Sequence, residues 1–125
     1  MGVETVIPGE VTAVHEGQVT VEAGGIGLQA VGEAAPGRSV LLCLRPEDIT
    51  LWSHDSHVLR SSARNLLKGN IRRITPQGPL ARVVVDCGFT LVALVTRASV
   101  QEMPLKEEMQ ITVTFKASAV HLIPR

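Results

Sequence analysis

The chain has 125 residues, of which 45% are hydrophobic, and 12 basic residues balance 12 acidic ones to give a formal net charge of zero. This length fits one domain or two small lobes with an apolar core. A neutral chain with one Trp, two Phe and no Tyr lacks the positive charge and the stacking platforms of nonspecific nucleic-acid binders. We therefore expect no nucleic-acid partner.

No apolar run approaches the roughly 20 residues that span a bilayer, and the N-terminus does not resemble a secretory signal. We expect a soluble, cytoplasmic protein. The two cysteines, Cys43 and Cys87, stand in apolar alternating segments without CxxC spacing. Buried reduced thiols are the expected state, with a disulfide or a metal role as the alternative.

Apolar residues recur with a period of two along most of the chain, and Val, Ile and Thr are frequent, which predicts a mostly β protein. Glycine and proline turns separate the segments at short intervals, as in a small barrel or sandwich. In chain order, the predicted strands cover residues 9–15, 18–23, 26–31, 39–45, 70–75, 81–87, 89–96 and 109–116. Residues 97–103 predict a two-turn helix that either Thr96 or Ser99 caps.

The chain also contains an internal repeat. The aligned segments are 9–11 with 69–71, 25–30 with 88–93, and 36–51 with 107–122, at offsets of 60, 63 and 71. The growing offset places the largest insertion where the second copy carries the predicted helix. We therefore predict a first lobe over residues 1–57 and a second over 58–125, joined by a polar linker at 53–61.

The chain carries no enzyme signature, because the phosphate loop, the nucleophile elbow and the HExxH motif are all absent. The nearest lookalike of a phosphate loop, residues 24–27, joins two predicted strands, where glycine serves a tight turn. His54, Asp55 and His57 could chelate a cation, although such residues in a linker are more often solvated. We expect no cofactor and no metal, and the chain itself should not hydrolyse ATP.

Hydrogen-bond donors collect at the ends of predicted elements in the second half. Residues 61–65 precede a strand, 96–99 open the helix and 116–118 end the last long strand. They offer hydroxyls, amides, two cations and no carboxylate, which is the chemistry that a tetrahedral oxyanion needs. Ordinary caps and turns use the same residue types, so these residues alone leave both interpretations open.

At these positions the chain resembles the molbindin (Mop) family and the TOBE domains of ABC importer ATPases. Three motifs carry the resemblance in order and at family-like spacing: SARNLLKG at 62–69, LVALVTRASV at 91–100 and FKASAVHL at 115–122. The first half resembles the leading TOBE segment of such ATPases, which ends here in LRPEDITLW at 44–52. The opening GVETVIPGEV resembles the junction that follows an ATPase domain.

The resemblance implies two tandem OB-like five-stranded β-barrels, di-Mop-like, that exchange terminal strands and carry one short helix in the second repeat. It also implies a molybdate or tungstate ligand bound at a dimer interface. The residues on the family's oxyanion-contacting positions are Ser62, Arg64, Lys116, Ala117 and Ser118, with Thr96 contributed by the other subunit. Asn65 and Ser99 are supporting residues, Asn65 by bracing its loop.

The first half departs from the pattern, since it lacks the SARN motif and the helix. Arg45, Pro46 and Glu47 stand where the second half has its Lys-Ala-Ser sequence. Proline removes a donor and glutamate repels an oxyanion, so we expect no ligand in the first lobe.

By resemblance, the chain is the C-terminal regulatory region of a molybdate or tungstate ABC importer ATP-binding subunit, at the cytoplasmic side of the membrane. Its expected partners are a second copy, an upstream ATPase domain and, through the parent protein, a membrane permease. The alternatives are a structural or dimerisation TOBE module of an importer for another substrate, and a stand-alone molybdate carrier.

Overall fold

The computed structural model describes residues 2–53 and 61–125. The strands of the first half are β1 (Thr5–His15), β2 (Gln18–Ala23), β3 (Ile26–Val31), β4 (Ser39–Leu44) and β5 (Thr50–Trp52). Those of the second half are β6 (Asn65–Gln77), β7 (Leu80–Asp86), β8 (Thr90–Thr96), β9 (Gln110–Phe115) and β10 (His121–Pro124). The helix α1 spans Arg97–Glu102, and a first and a second 3₁₀ helix span Pro46–Asp48 and Ala117–Ala119.

The strands form two antiparallel five-stranded sheets, and each sheet takes one edge strand from the other half of the chain. The first sheet has the order β10-β4-β1-β2-β3 and the second the order β5-β9-β6-β7-β8. Leu122 of β10 lies opposite Leu42, and Leu51 of β5 lies opposite Val113. The tandem five-stranded β architecture and the exchange of terminal strands are thus confirmed. We call the first sheet, with the turns and the 3₁₀ helix of the first half, the first lobe. The second sheet, with α1 and the turns and 3₁₀ helix of the second half, is the second lobe.

The sequence repeat is also a structural repeat. The register of β1 against β2 shifts between Val11 and Ala13, and that of β6 against β7 shifts between Ile71 and Arg73. These two bulges are 60 residues apart, the offset at which the sequences align. A bulge bends its strand and increases its twist, so both copies curl into a barrel at the same point.

Two glycines explain why β1 and β6 begin before the predicted residues 9 and 70. A Cβ at Gly9 would stand 2.6 Å from Val21 Cγ1, and a Cβ at Gly69 would stand 2.6 Å from the Asp86 carbonyl oxygen. The predicted strands begin at or just after these glycines, which serve instead to let a continuous strand cross its neighbour closely. The predicted starts were wrong for this reason.

The short strands β5 and β10 were not predicted as strands, because three and four residues are too few to show a period of two. The ranges predicted for β2 and β3 match the structure, and the predicted helix is confirmed at Arg97–Glu102. The predicted lobe boundary at residues 57 and 58 lies outside the described residues.

One apolar core joins the inner faces of both sheets. Buried residues alternate with exposed or half-buried ones along β2 and with half-buried ones along β7, so each strand turns one face to this core. The largest fully buried side chains include Phe115, Leu28 and Leu42. Cys43 and Cys87 are buried free thiols, and burial raises the pKa of Cys87 to about 11. Within the described residues, no helix is long and apolar enough to cross a membrane.

Candidate oxyanion site

The pairing of β6 with β9 brings two of the three donor groups to one corner of the second lobe. Asn65 at the start of β6 lies opposite Phe115 at the end of β9. Residues 62–64 enter β6 immediately before this pair, and residues 116–118 leave β9 immediately after it. We call these two segments the entry arm and the exit arm. They form one cluster because antiparallel strands place the start of one beside the end of the other.

The entry arm contains two exposed donors, the side chains of Ser62 and Arg64. The N–H of Ala63 donates to Ser61 Oγ at 2.9 Å, and the Ser61 hydroxyl donates back to the Ala63 carbonyl oxygen at 3.4 Å. This local turn fixes the backbone before β6, a role for Ser61 that the sequence did not reveal. The side chains of Ser62 and Arg64 are exposed and make no hydrogen bond to the described part of the chain.

The exit arm adds backbone donors and a second cation. In the second 3₁₀ helix, the N–H groups of Ala119 and Val120 donate to the carbonyl oxygens of Lys116 and Ala117. The N–H groups of Ala117 and Ser118 precede these bonds and have no backbone carbonyl partner among the described residues. Lys116 is exposed and forms no ion pair within residues 2–53 and 61–125. Unpaired N–H groups beside a cation suit an anion.

Thr96 lies at the other end of the second sheet. It ends β8 opposite Leu80, and Leu80 in turn lies opposite Gln77, the last residue of β6. Asn65 and the two arms lie at the first residue of β6. One copy of the chain therefore presents the predicted ligand residues as two separate groups.

Thr96 caps α1, which decides between the two caps that the sequence allowed. Thr96 Oγ1 accepts a hydrogen bond from the Ser99 N–H at 3.0 Å, and the Thr96 hydroxyl donates to Ser99 Oγ at 2.9 Å. Because one hydrogen suffices for that bond between the hydroxyls, the pair retains a second hydroxyl hydrogen that can point to an external acceptor. Ser99 thus supports Thr96 directly.

Asn65 ties the cluster to the first lobe. Its Nδ2 donates to the Gln29 carbonyl oxygen at 2.9 Å, and the Gln29 N–H donates to Asn65 Oδ1 at 2.7 Å. Gln29 lies on β3, an edge strand of the first sheet, against which the second 3₁₀ helix also packs. The sequence predicted that Asn65 braces its loop, but the partner lies 36 residues away and no local pattern could indicate it.

The equivalent corner of the first lobe keeps one cation, Arg45, but adds two carboxylates and lacks one N–H donor. At the offset of 60, Glu4 stands where the second lobe has Arg64, and at the offset of 71 Glu47 stands where it has a serine. The Glu4 carboxylate pairs with Arg82 Nε at 2.9 Å. Pro46 is buried at the start of the first 3₁₀ helix and has no N–H to offer. This corner suits an oxyanion poorly.

A surface cavity of about 530 Å³ lies elsewhere on the second sheet, beside Trp52, Lys68 and Gln110. It includes none of the predicted oxyanion-binding residues and is far larger than a five-atom anion needs. Among the described residues, no group of three or more His, Cys, Asp or Glu side chains could hold a metal. The motif at His54, Asp55 and His57 lies outside the described residues.

The family assignment agrees with this geometry. The model of the TOBE domain family matches residues 61–122, which include both arms, Thr96 and α1. The chain therefore belongs to the TOBE domain family through its second half.

Two curated relatives are molybdate/tungstate import ATP-binding proteins named WtpC. The chain is 35% identical over 82 residues to the one from Pyrococcus horikoshii and 38% identical over 82 residues to the one from Pyrococcus abyssi. The match covers 65% of this chain and 23% of either relative, so the chain spans about a quarter of their length.

A solved structure is similar over nearly the whole chain. It is the cytoplasmic molybdate-binding protein ModG in a crystal form with molybdate bound, with a TM-score of 0.90 and 28% sequence identity. The similarity covers 98% of this chain and 97% of ModG.

Proposed function

We propose that this chain binds molybdate or tungstate as the C-terminal regulatory domain of an ABC importer ATP-binding subunit. The ligand residues are Ser62, Arg64, Lys116, Ala117 and Ser118 of one copy and Thr96 of a second copy. The observation that carries the proposal is the convergence of the entry and exit arms, which present two cations and unpaired donors without a carboxylate. The named ligands of WtpC and ModG support molybdate or tungstate as the anion.

A second copy of the chain completes the site in this proposal. The side chains of Ser62, Arg64, Lys116 and Ser118 are exposed at a corner of the lobe, where water competes for their hydrogen bonds. A partner that brings its Thr96 and Ser99 over the arms would exclude that water and add a hydroxyl donor. Electrostatic attraction between the anion and Arg64 strengthens as the local dielectric falls. We therefore propose a homodimer with the anion between its subunits.

Regulation follows from that arrangement. The anion contacts both copies only when Thr96 of one copy lies over the arms of the other. It therefore binds that closed arrangement better than an open one in which they are apart, and shifts the dimer toward the closed arrangement. In a parent importer, this would favour one arrangement of the upstream ATPase domains at the cytoplasmic side of the membrane permease. The chain itself binds the anion and carries out no hydrolysis.

Calorimetric titration with molybdate, tungstate and sulfate tests the proposal. We expect heat with molybdate and tungstate, and at least a ~10-fold weaker affinity in Arg64→Ala and in Lys116→Ala, since each removes a charge-assisted contact. Arg38→Ala removes an exposed cation from the first lobe and is the matched control, with unchanged affinity. No heat and no thermal shift with millimolar molybdate would contradict the proposal and favour a dimerisation module of an importer for another substrate.

A stand-alone molybdate carrier is the second candidate function. It is favoured by the similarity to ModG, because this chain covers 97% of that molybdate-binding protein. The open reading frame upstream of Met1 separates the two candidates. An ATPase domain encoded there supports the regulatory role, and a stop codon followed by an independent start supports the carrier.

A further inference from the structure

We propose that Asn65 is a positioning residue of the oxyanion site, and that through it the first lobe sets the affinity of the second. This inference rests on the proposed function. Asn65 sits directly after Arg64 and is 2% exposed, so it is buried where its neighbours in the entry arm are not. Its amide reaches β3 of the first lobe instead of the anion corner.

As an edge strand, β3 has a neighbouring strand on one side only. The Asn65 side chain bonds the Gln29 backbone of β3 as a second neighbouring strand would. Gln29 of β3 lies opposite Thr20 of β2, and its N–H and C=O both bond the Asn65 amide. A planar amide offers one donor and one acceptor, as a neighbouring backbone would. Removing it leaves the N–H and the carbonyl oxygen of the half-buried Gln29 without these partners. We expect that loss to let β3 shift relative to β6.

Such a shift would act on both arms of the site. The entry arm is held to β3 by Asn65, and the exit arm is held to β3 because the second 3₁₀ helix packs on that strand. Ala117 is the buried residue of this 3₁₀ helix. The spacing between Arg64 and Lys116 therefore depends on β3 of the first lobe as well as on the pairing of β6 with β9. Ligand groups need fixed spacing to bind a small anion tightly.

The equivalent position in the first lobe separates this role from mere lobe packing. Thr5 lies 60 residues before Asn65, and its Oγ1 accepts a hydrogen bond at 3.1 Å from the N–H of Val92, on the edge strand β8. Thr5 is 3% exposed, so it is as buried as its counterpart. One hydrogen bond to the edge strand is therefore enough to join the lobes at the first lobe's corner, which lacks the anion donors. The second bond occurs at the corner that has them.

The test compares variants at the two positions. Asn65→Leu has a similar shape and loses both bonds. Asn65→Thr carries the first lobe's residue and should keep only the bond that it accepts from the Gln29 N–H, as Thr5 does with Val92. Thr5→Val removes that first-lobe bond. We expect the molybdate Kd to rise ~10-fold or more in Asn65→Leu and several-fold in Asn65→Thr. We expect Thr5→Val to lower the melting temperature about as much as the Asn65 variants do, and to leave the molybdate Kd within about twofold of wild type.

The outcomes distinguish a failure of the proposed function from a failure of the role of Asn65. A wild-type chain that gives no heat with molybdate contradicts the proposed function before any variant is measured. A wild-type chain that binds, together with Asn65→Thr that binds equally well, overturns only the role of Asn65. If Asn65→Leu does not fold, Asn65→Thr alone decides. Equal loss of affinity in Thr5→Val would also overturn the inference, because lobe packing in general would then explain it.

Amide hydrogen exchange supplies a readout that a purely structural role would not move. Coupling between two sites is reciprocal, so an anion that binds better to the braced state must also protect the brace by a comparable factor. We expect saturating molybdate to slow exchange of the Gln29 amide about as much as Asn65→Leu weakens binding. The Val92 amide, bonded to Thr5, should change less. Unchanged exchange at Gln29 would overturn the inference.

Discussion

The turns that lead into β4 and β9 show how closely the two lobes correspond. The Gly37 N–H donates to the Val11 carbonyl oxygen at 2.7 Å, and the Glu108 N–H donates to the Ile71 carbonyl oxygen at 2.7 Å. Both donors have a positive φ, 90° for Gly37 and 68° for Glu108. The backbone is thus repeated even where the second lobe places a side chain in a conformation that favours glycine.

The strand ends show the opposite. Glu4 and Arg64 occupy equivalent positions with opposite charge, and Pro46 and Ala117 differ in whether they carry an N–H. The strands, bulges and braces around them are shared by both lobes. Under the proposed function, a few side chains at one corner, and not the shared β architecture, would therefore determine whether a lobe binds an anion.

The largest expected effect comes from giving the second lobe the first lobe's charge. Arg64→Glu replaces an attractive cation with a carboxylate that repels a dianion, so we expect the molybdate affinity to fall ~100-fold or more, about 2.7 kcal/mol. Calorimetry measures it. Arg38→Glu makes the same change of charge on the first lobe and should retain near-wild-type affinity. A similar loss in both variants would mean that overall charge, and not this corner, controls binding.

A smaller effect tests whether the two barrels share one packing constraint. Gly69→Ala places a Cβ 2.6 Å from the Asp86 carbonyl oxygen, and Gly9→Ala places one 2.9 Å from the Glu22 carbonyl oxygen. Backbone must shift in both, so we expect each to lower the free energy of unfolding by ~2 kcal/mol.

Urea denaturation provides the measurement for both glycine variants, and Gly27→Ala is the control. A Cβ at Gly27 meets nothing closer than Thr20 Cγ2 at 4.0 Å, so that variant should fold as stably as wild type. A clear loss of stability in only one of Gly9→Ala and Gly69→Ala would show that the lobes are packed differently at these crossings.

The fold was predictable from the sequence to the extent that patterns were local. Alternation over six residues identified β2 and β3, and Thr96 followed by a polar segment identified α1. The starts of β1 and β6 were not, because glycine commonly breaks strands and only the three-dimensional crossing shows why it extends these two.

The candidate site was also predictable only in part. The repeat showed which half carries donors, and the pairing of Asn65 with Phe115, 50 positions apart in sequence, brings the entry and exit arms into one corner. The contact of Asn65 with Gln29 could not be predicted, since a side-chain amide that bonds an edge strand produces no periodic pattern in the sequence. The separation of Thr96 from the arms likewise emerges only from the strand order of the second sheet.

We expect Ala117→Pro to weaken molybdate binding without destabilising the fold. The first lobe already has proline at the equivalent position, and Lys116 has the extended backbone, φ −75° and ψ 150°, that a residue before proline prefers. The fold should therefore be preserved, while one N–H donor to the anion is lost. We expect a ~10-fold weaker molybdate affinity from the loss of one hydrogen bond to a charged group.

Thermal melting and calorimetry on the same Ala117→Pro sample separate these two effects. Ala119→Ser, two residues further along the same 3₁₀ helix, leaves all backbone N–H groups in place and is the control. An affinity equal to wild type in Ala117→Pro would show that the Ala117 N–H does not contact the anion.

The smallest effect returns to the two turns. Glu108→Gly removes the cost of a positive φ, about 1 kcal/mol, but also removes the ion pair of Glu108 with Arg72 at 3.0 Å. That pair is exposed and is screened by salt. We therefore expect Glu108→Gly to be near neutral at low salt and more clearly stabilising in about 1 M salt. Gly37→Ala, with no ion pair to offset its positive φ of 90°, should destabilise at both salt concentrations. Thermal melting at the two ionic strengths measures both variants, and a salt-independent result for Glu108→Gly would mean that the ion pair with Arg72 contributes nothing to the turn.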